Sequence, residues 1–371
     1  MPGILAYAKV NLGLEIVGKR SDGYHELRTI MQEVSLADRL EIEPASDLSI
    51  TCNQPDLANE TNLVMRAAEA LRAVSPDRPG ARIRLEKRIP VAAGLGGGSS
   101  DAAAALVALN RIWGINLGHD SLAAIARRLG ADVSFFLQGG TALASGIGDE
   151  LTPLPAPTLW LTIGVARPGV PDKTRRLYAA LEPRDWSSGE AVARIAAAIR
   201  VGDPLETTVL PSGFARVAWS LFPEIDVVAS IFSRLGATAS LCGAGPAVFG
   251  LFAHEGEARR VRDELSAQGI EAYTAHTVSK NERASLDAST EFRVVLAYRL
   301  GGLSGASSKQ VEQDRTGGSF RLAEAKKRPG MTEQNGCTPA LVVVEKPHQR
   351  PLDGAADGPP ASEGARFVLE E

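Results

Sequence analysis

Apolar and polar residues alternate from Ala8 to Ile16. Ala8, Val10, Leu12, Leu14 and Ile16 fall on one face, and Lys9, Asn11, Gly13 and Glu15 on the other. A period of two predicts a strand with one buried face, from whose other face Lys9 and Asn11 project together. The Asp22-Gly23 pair in "RSDGYH" signals a hairpin-type turn, and strand-like sequence then runs to Ile42. A helix is expected over 62–74, and "RIRLEK" reads as a strand leading into Pro90. Ala102, Ala105, Leu106, Leu109, Ile112 and Trp113 then recur at helical spacing, with Gly114 as a stop. "DSLAAIARRLG" predicts a second helix with Asp120 as cap, Leu122, Ile125 and Leu129 inward, and Gly130 at its end. "ADVSFFL" follows directly.

The proline-rich "LTPLPAPT" of residues 151–158 reads as a linker. Beyond it the pattern predicts a strand over 159–166, helices near 173–182, 189–200 and 224–235, and a strand near 237–242. A glycine turn leads to a strand over 247–253, a helix over 256–268 and a last strand over 270–278. Strands alternating with helices make a second, smaller α/β unit. From Ala284 onward the chain turns polar and rich in glycine, serine and proline, with two apolar islands, "FRVVLAYRL" and "ALVVV". So little apolar surface does not offset the entropy of ordering, so disorder is expected there. The expected organisation is a domain over 1–153, a second over 159–284 and a disordered tail over 285–371.

Composition narrows the classes of function. The net charge is −4 and no long basic block occurs, which argues against nucleic acid as the main partner. The three cysteines are far apart, with neither disulfide-framework nor zinc spacing, as suits a reducing cytoplasm. The histidines form no HxxxH or HxH pair, so a protein-built metal site has little support. Lys9 and Asn11 interrupt the apolar start, so no signal peptide is read there. No uncharged apolar run approaches the ~18 residues of a membrane helix.

The chemistry concentrates in "GLGGGSSDAAAAL", Gly94 to Leu106, with four glycines in five positions. A glycine loop running into a helix start exposes backbone N–H groups, and the helix dipole adds positive potential. Together they make an anion site, most often for phosphate. Ser99 or Ser100 is expected to cap the helix or bind a phosphate oxygen, with Asp101 in its first turn. The plainer alternative is a tight, closely packed strand-to-helix turn. No Gly-Lys-Ser/Thr follows, so the loop is not a Walker A motif. Ser99 stands where a dinucleotide fingerprint has its third glycine, and the loop lies too far along the chain for a Rossmann first βαβ unit.

"PVAAGLGGGSSDAAAAL" resembles the phosphate-binding motif of the GHMP kinases, the superfamily of galactokinase, homoserine kinase and mevalonate kinase. "AKVNLGLEIVGKRSDGYHEL", "LGADVSFFLQGGTALASGIGDELTPL" and "PGVPDKTRRLY" narrow the resemblance. They are similar to the branch that phosphorylates the tertiary 2-hydroxyl of 4-diphosphocytidyl-2-C-methyl-D-erythritol in the non-mevalonate route to isoprenoids. The likeness spans roughly residues 4–280, and the tail has no counterpart in it. It implies a two-domain α+β fold, with a ribosomal-protein-S5-like first domain and a ferredoxin-like second. It implies an ATP-dependent small-molecule kinase of the cytoplasm, a monomer or homodimer, with a cytidine-diphosphate substrate and no nucleic-acid or membrane partner.

By that resemblance Lys9 and Asp132 are the catalytic pair, Asp132 taking or steering the alcohol proton and Lys9 facing the γ-phosphate. Alone, each would read as an ordinary strand lysine and an ordinary helix-end acid. ATP would lie on Pro90, Ala93, Gly94, Leu95, Gly96, Gly97, Gly98, Ser99 and Ser100. Mg²⁺ would accompany it, bridging phosphates near Ser100 or Asp101, with its ligands not fixed by the sequence. Tyr24 and Tyr178 would sandwich cytosine, His25 would read the base edge, and Asn11 would contact substrate. One departure stands out. In "LCGAGPAVFG" the third glycine motif keeps Gly243 and Gly245, but Cys242 and Ala244 replace residues that commonly carry hydroxyls. Rival readings are another GHMP kinase, which would lack the "SDGYH" hairpin, and a silent ligand-binding relative, which would lose Lys9 or Asp132.

Overall fold

The first strand is longer than its alternation suggests. β1 covers Ile4–Lys19 and pairs antiparallel with β2, His25–Ala45, across the Asp22-Gly23 turn. The structure, a computed structural model, describes residues 3–167, 173–205, 209–289, 311–313 and 320–322. Both faces of β1 are buried, so Lys9, Asn11 and Glu15 lie inside the protein rather than in solvent.

In the first sheet β3 (Leu48–Cys52), β4 (Gly80–Glu86), β2, β5 (Thr141–Ser145) and β6 (Glu150–Leu154) lie in that order, with β1 on β2. The β3–β4 pair is parallel and the other pairs are antiparallel. Four helices pack with it: α1 (Leu63–Arg72), α2 (Gly97–Ile112), α3 (His119–Leu129) and α4 (Ala131–Gln138). The alanines of α2 are buried, and with Leu106 and Leu109 they share a core with Val64, Leu71, Phe135 and Phe136. Small side chains let α2 approach its neighbours closely. Gly118, not Asp120, stands at the cap of α3.

The expected linker is a correction. Residues Glu150–Leu154 pair with β5, so only 155–159 connect the two sheets. Pro153 lies opposite Ala142 on the last strand of the sheet, where its missing N–H removes no bond to a further strand. The short strand β3 was also not expected.

The second sheet has the order β10 (Glu271–His276), β7 (Trp160–Val165), β9 (Ala247–Phe252) and β8 (Ala239–Leu241), all antiparallel. With it go α5 (Lys173–Ala179), α6 (Glu190–Val201), α7 (Ala215–Leu221), α8 (Glu224–Arg234) and α9 (Glu255–Ala267). Among these α7 has no counterpart in the pattern. Ala8, Val10 and Leu12 of β1 pack against Leu161 and Ile163 of β7, Phe249 of β9 and Ile195 of α6. One apolar core therefore crosses the expected boundary between the halves, and residues Gly3–Thr290 form a single compact unit.

The expected domain end at residue 284 falls inside a helix, α10 (Lys280–Ser289). Beyond it, β11 (Val311–Gln313) pairs antiparallel with β12 (Phe320–Leu322), where no strand is expected. The remainder of the expected tail, including both apolar islands, lies outside the described residues. α10 is held by Arg283, whose Nη1 donates to Glu33 Oε1 at 2.6 Å and to the Phe136 carbonyl at 2.8 Å. The other Glu33 oxygen accepts the Gly140 N–H at 2.7 Å. Arg283 thus pins the C-terminal part of α4 to β2.

A chain ending at Thr290 should melt like the full chain. One ending at Ser279 leaves the fully buried Glu33 carboxylate without its guanidinium. Breaking such a pair costs about 3–5 kcal/mol, which a urea titration will resolve. Equal midpoints for the two truncations would show that α10 is dispensable.

Candidate active site

β1 carries the centre of the site. Gly13 lies at φ +108°, where the β1–β2 register shifts between Asn11 and Leu14. A residue with a Cβ would be strained there. The shift leaves the Gly13 carbonyl to accept from Thr29 Oγ1 at 2.7 Å. Thr29 Oγ1 in turn accepts from Asn11 Nδ2 at 2.8 Å, and Asn11 Oδ1 accepts from Lys9 Nζ at 2.8 Å. Lys9 is thereby aimed by a relay that ends on the backbone. Asn11, expected to touch substrate, is only 2% exposed and braces Lys9 in this structure.

Lys9 Nζ lies 3.8 Å from Asp132 Oδ2. Asp132 occupies the first turn of α4, where the helix dipole favours a carboxylate. It is about one-third exposed, so a hydroxyl-bearing ligand can reach it while Lys9 stays buried. The backbone N–H of Lys9 donates to the Leu95 carbonyl at 2.9 Å, tying the strand to the glycine loop. A Cβ on Gly96 would lie 3.1 Å from Lys9 Cγ and 2.8 Å from the Phe136 ring, so only glycine permits this approach.

The helix begins inside the glycines. α2 opens at Gly97 with Gly96 as N-cap at φ +72° and no side-chain cap. Ser99 and Ser100 therefore lie within the helix rather than capping it, and Asp101 falls beyond its first turn. The N–H groups that start a helix have no intrahelical acceptor, and no side chain takes them here. They are left for an anion. A cleft of about 370 Å³ opens on this loop, lined by Pro90, Ala93, Gly94, Leu95, Gly96, Gly97, Gly98 and Ser99. Ser100 is buried next to it. The far wall, Leu57, Asn59, Thr61, Asn62 and Leu63, was not foreseen, since nothing in that polar stretch marks it. A larger hollow of about 740 Å³ beside edge strand β10, lined by Arg167, Val227 and Tyr273 among others, includes none of the expected site residues.

Asp101 and Lys87 also line this cleft, but they are bonded to each other. Lys87 Nζ donates to Asp101 Oδ2 at 2.7 Å and also to Asp38 Oδ2, and all three side chains are almost wholly buried. Burial pushes the Asp101 carboxyl up, against the pull of Lys87. Burial opposes the charge on Lys87 too, but its two carboxylates outweigh that and hold its ammonium above the usual lysine value. Among the described residues Asp101 Oδ1 is buried without a partner. A carboxyl buried and already bonded to a lysine does not fit a magnesium ligand. Among the described residues no group of three or more His, Cys, Asp and Glu side chains could hold a metal.

The hairpin end and α5 bring two of the expected base-site residues together. The rings of His25 and Tyr178 lie 5.3 Å apart, tilted by 33°. Tyr178 also meets Phe214 edge-on at 4.9 Å. Burial, with the Asp132 charge adding to it, pushes the Tyr178 phenol up to about 12. Burial also lowers His25 from its usual value, with Lys19 contributing, so the ring is neutral at pH 7. Tyr24 is 62% exposed at the hairpin tip, and no ring contact joins it to Tyr178.

The β8–β9 turn completes the surround. A Cβ on Gly243 would lie 3.3 Å from Asn11 Oδ1 and 3.4 Å from Lys9 Nζ. Burial pushes the Cys242 thiol up to about 12, outweighing the pull of Lys9 and Lys173. It is an inert packing group. Lys87, Asp38, Thr29 and Lys173 went unrecognised from sequence, because each gains its partner from another part of the fold.

The chain matches the family model described as GHMP kinases N terminal domain over residues 62–140, and that described as GHMP kinases C terminal over 193–271. It is 39% identical over 278 residues to the 4-diphosphocytidyl-2-C-methyl-D-erythritol kinase of Dehalococcoides mccartyi (strain CBDB1), covering 74% of this chain and 98% of that protein. Against the kinase of the same name from Pelotomaculum thermopropionicum it is 44% identical over 263 residues, covering 69% and 91%. A crystal structure of a 4-(cytidine 5'-diphospho)-2C-methyl-D-erythritol kinase superimposes with a TM-score of 0.65 at 38% identity, covering 74% of this chain and 98% of that one. Homoserine kinase from Cytophaga hutchinsonii shares the fold alone, with a TM-score of 0.59 at 19% identity over 75% and 95% of the two chains.

The Lys87 cluster can be tested by stability. Lys87→Met leaves two buried carboxylates without their cation, and the loss should be about 3–5 kcal/mol in urea unfolding. A midpoint equal to that of the unaltered chain would mean that the two carboxyls do not need the lysine.

Proposed function

Because the chain belongs to the GHMP kinases, in the branch of the 4-diphosphocytidyl-2-C-methyl-D-erythritol kinases, we propose that it transfers the γ-phosphoryl group of ATP to the 2-hydroxyl of that erythritol substrate. The observation that carries the reading is the Lys9–Asp132 pair at 3.8 Å, lying between an open glycine-loop helix start and the His25–Tyr178 rings. The products are the 2-phosphate and ADP. The substrates are soluble nucleotide derivatives, which suits a cytoplasmic enzyme. Among the described residues no helix is long and apolar enough to cross a membrane.

Phosphoryl transfer asks more for orientation and charge stabilisation than for covalent help. The nucleotide lies in the cleft over residues 90–99 with its phosphates on the N–H groups at the start of α2. Asp132 orients the 2-hydroxyl and accepts its proton as the new O–P bond forms and the bond to the β-phosphate oxygen breaks. Lys9, aimed by Asn11, faces the group in transit and stabilises its spreading negative charge. Mg²⁺, entering with ATP, would neutralise phosphate charge. Cytosine stacks on Tyr178, with Tyr24 closing over it from the exposed hairpin tip. His25, being neutral, can both donate to and accept from the base edge.

Lys9→Ala and Asp132→Ala should each lower kcat by roughly 10²–10⁴-fold, the range for a positioned proton-transfer group. The double variant should be little worse than the worse single one, because the two act as a unit. A coupled ADP-release assay with the cytidine substrate, against homoserine, mevalonate and galactose, checks both the pair and the substrate. Near-normal turnover by Asp132→Ala would remove it from the reaction.

The base site predicts a separate effect. Tyr178→Ala should raise KM for the cytidine substrate and leave KM for ATP nearly unchanged, since stacking is worth about 1–3 kcal/mol per base. Because His25 titrates below the ordinary value of 6.5, KM for the cytidine substrate should rise only as pH falls below 6.5. That acid limb should vanish in His25→Asn. A limb that persists there would assign the titration to another group.

A further inference from the structure

The turn between β8 and β9 is closed at its base by the Cys242 N–H donating to the Ala247 carbonyl at 2.9 Å, and its own side chains add nothing to that. Cys242, Gly243, Ala244 and Gly245 offer no hydroxyl, amide or charged side chain. Gly243 and Gly245 lie at φ +56° and +66°. Within the turn the Gly245 N–H donates to the Cys242 carbonyl at 2.8 Å. Among the described residues the N–H groups of Gly243 and Ala244 have no acceptor. Two successive free amides beside a left-handed glycine form a concavity suited to an anion. Gly243 of this turn packs against Lys9 and Asn11.

The brace comes from α5. Lys173 opens that helix, and its side chain is buried. Its ammonium donates to the Ala244 carbonyl at 3.1 Å and to the Gly245 carbonyl. Among the described residues no carboxylate pairs with it. A buried ammonium held by carbonyl oxygens is costly, and among the described residues nothing cancels its positive charge. Burial lowers it to about 8, which still leaves it charged at neutral pH. The same short helix carries Tyr178, so one element joins the base site to the turn.

We infer that Lys173 is a positioning residue for phosphoryl transfer: its two bonds fix the 242–245 turn so that the amides of Gly243 and Ala244 stay beside Lys9, and its charge favours a phosphoryl anion there. One ammonium does the bracing that side chains within this turn do not supply. The inference rests on the reading of Lys9 and Asp132 as the transfer site.

The test uses the full chain carrying Lys173→Met and, separately, Lys173→Arg, with ADP release measured against both substrates and the thermal midpoint recorded by circular dichroism. A turn shifted by about 1 Å can cost on the order of 100-fold in rate. Lys173→Met should lower kcat by roughly 10- to 100-fold while KM for ATP stays within about twofold. Lys173→Arg, which keeps the charge and the donors, should recover most of the loss. Turnover by Lys173→Met at the unaltered rate overturns the inference, as does a folded Lys173→Arg no better than Lys173→Met. If Lys173→Met does not fold, Lys173→Gln decides: a reduced kcat at unchanged KM for ATP supports the inference, and an unaltered kcat refutes it. Failure of the unaltered chain to phosphorylate the cytidine substrate would instead refute the functional reading.

Discussion

A lysine ammonium buried in the middle of a strand needs partners, or it loses its charge or unfolds the strand. Much of this molecule is arranged around meeting that need for Lys9. The bulge at Gly13 releases a carbonyl, Thr29 and Asn11 pass the bonding on, and Asn11 presents an oxygen to the ammonium. That satisfies one donor and leaves the rest of the charge directed at Asp132 and the open cleft. β1 has to be covered on both faces for this to work. Its apolar face accordingly takes the second sheet, and its polar face takes the glycine loop and α4.

Three lysines are buried among the described residues, and their partners differ in kind. Lys87 meets two carboxylates, which offset its charge. Lys173 meets two carbonyls, which take two of its three donors, and among the described residues nothing cancels its charge. Lys9 shares one neutral oxygen and stands near one partly exposed carboxylate. Positive potential is therefore left where a phosphate can use it, while the cation packed under the start of α2 acts as structure.

The sequence pattern located what depends on local period. Alternation placed Lys9 and Asn11 on one face, and helical spacing found α2, α3 and the order of elements in the second half. Four glycines against a helix start marked the anion loop, although the cap proved to be Gly96 rather than a serine. Contacts made at long range were not legible. Lys87 meets Asp38 across 49 positions and Lys173 meets Ala244 across 71, and no spacing rule joins such pairs. β6 was hidden by Pro153 and the prolines that follow it, and an edge strand tolerates the one it contains. The place of Tyr178 beside His25 came from family resemblance, not from period, and the structure brings the two rings together.

Arg283 has a consequence for how the protein is made. It holds both Glu33 near the start of the chain and the carbonyl of Phe136 in the helix that carries Asp132. On the ribosome the N-terminal half emerges first and can form its sheet and helices, but this clasp cannot close until residue 283 has left the exit tunnel. The Val278 N–H, which bonds the Glu33 carbonyl, also arrives late. A nascent chain with every catalytic residue already synthesised would thus still lack the tie that seats its acid.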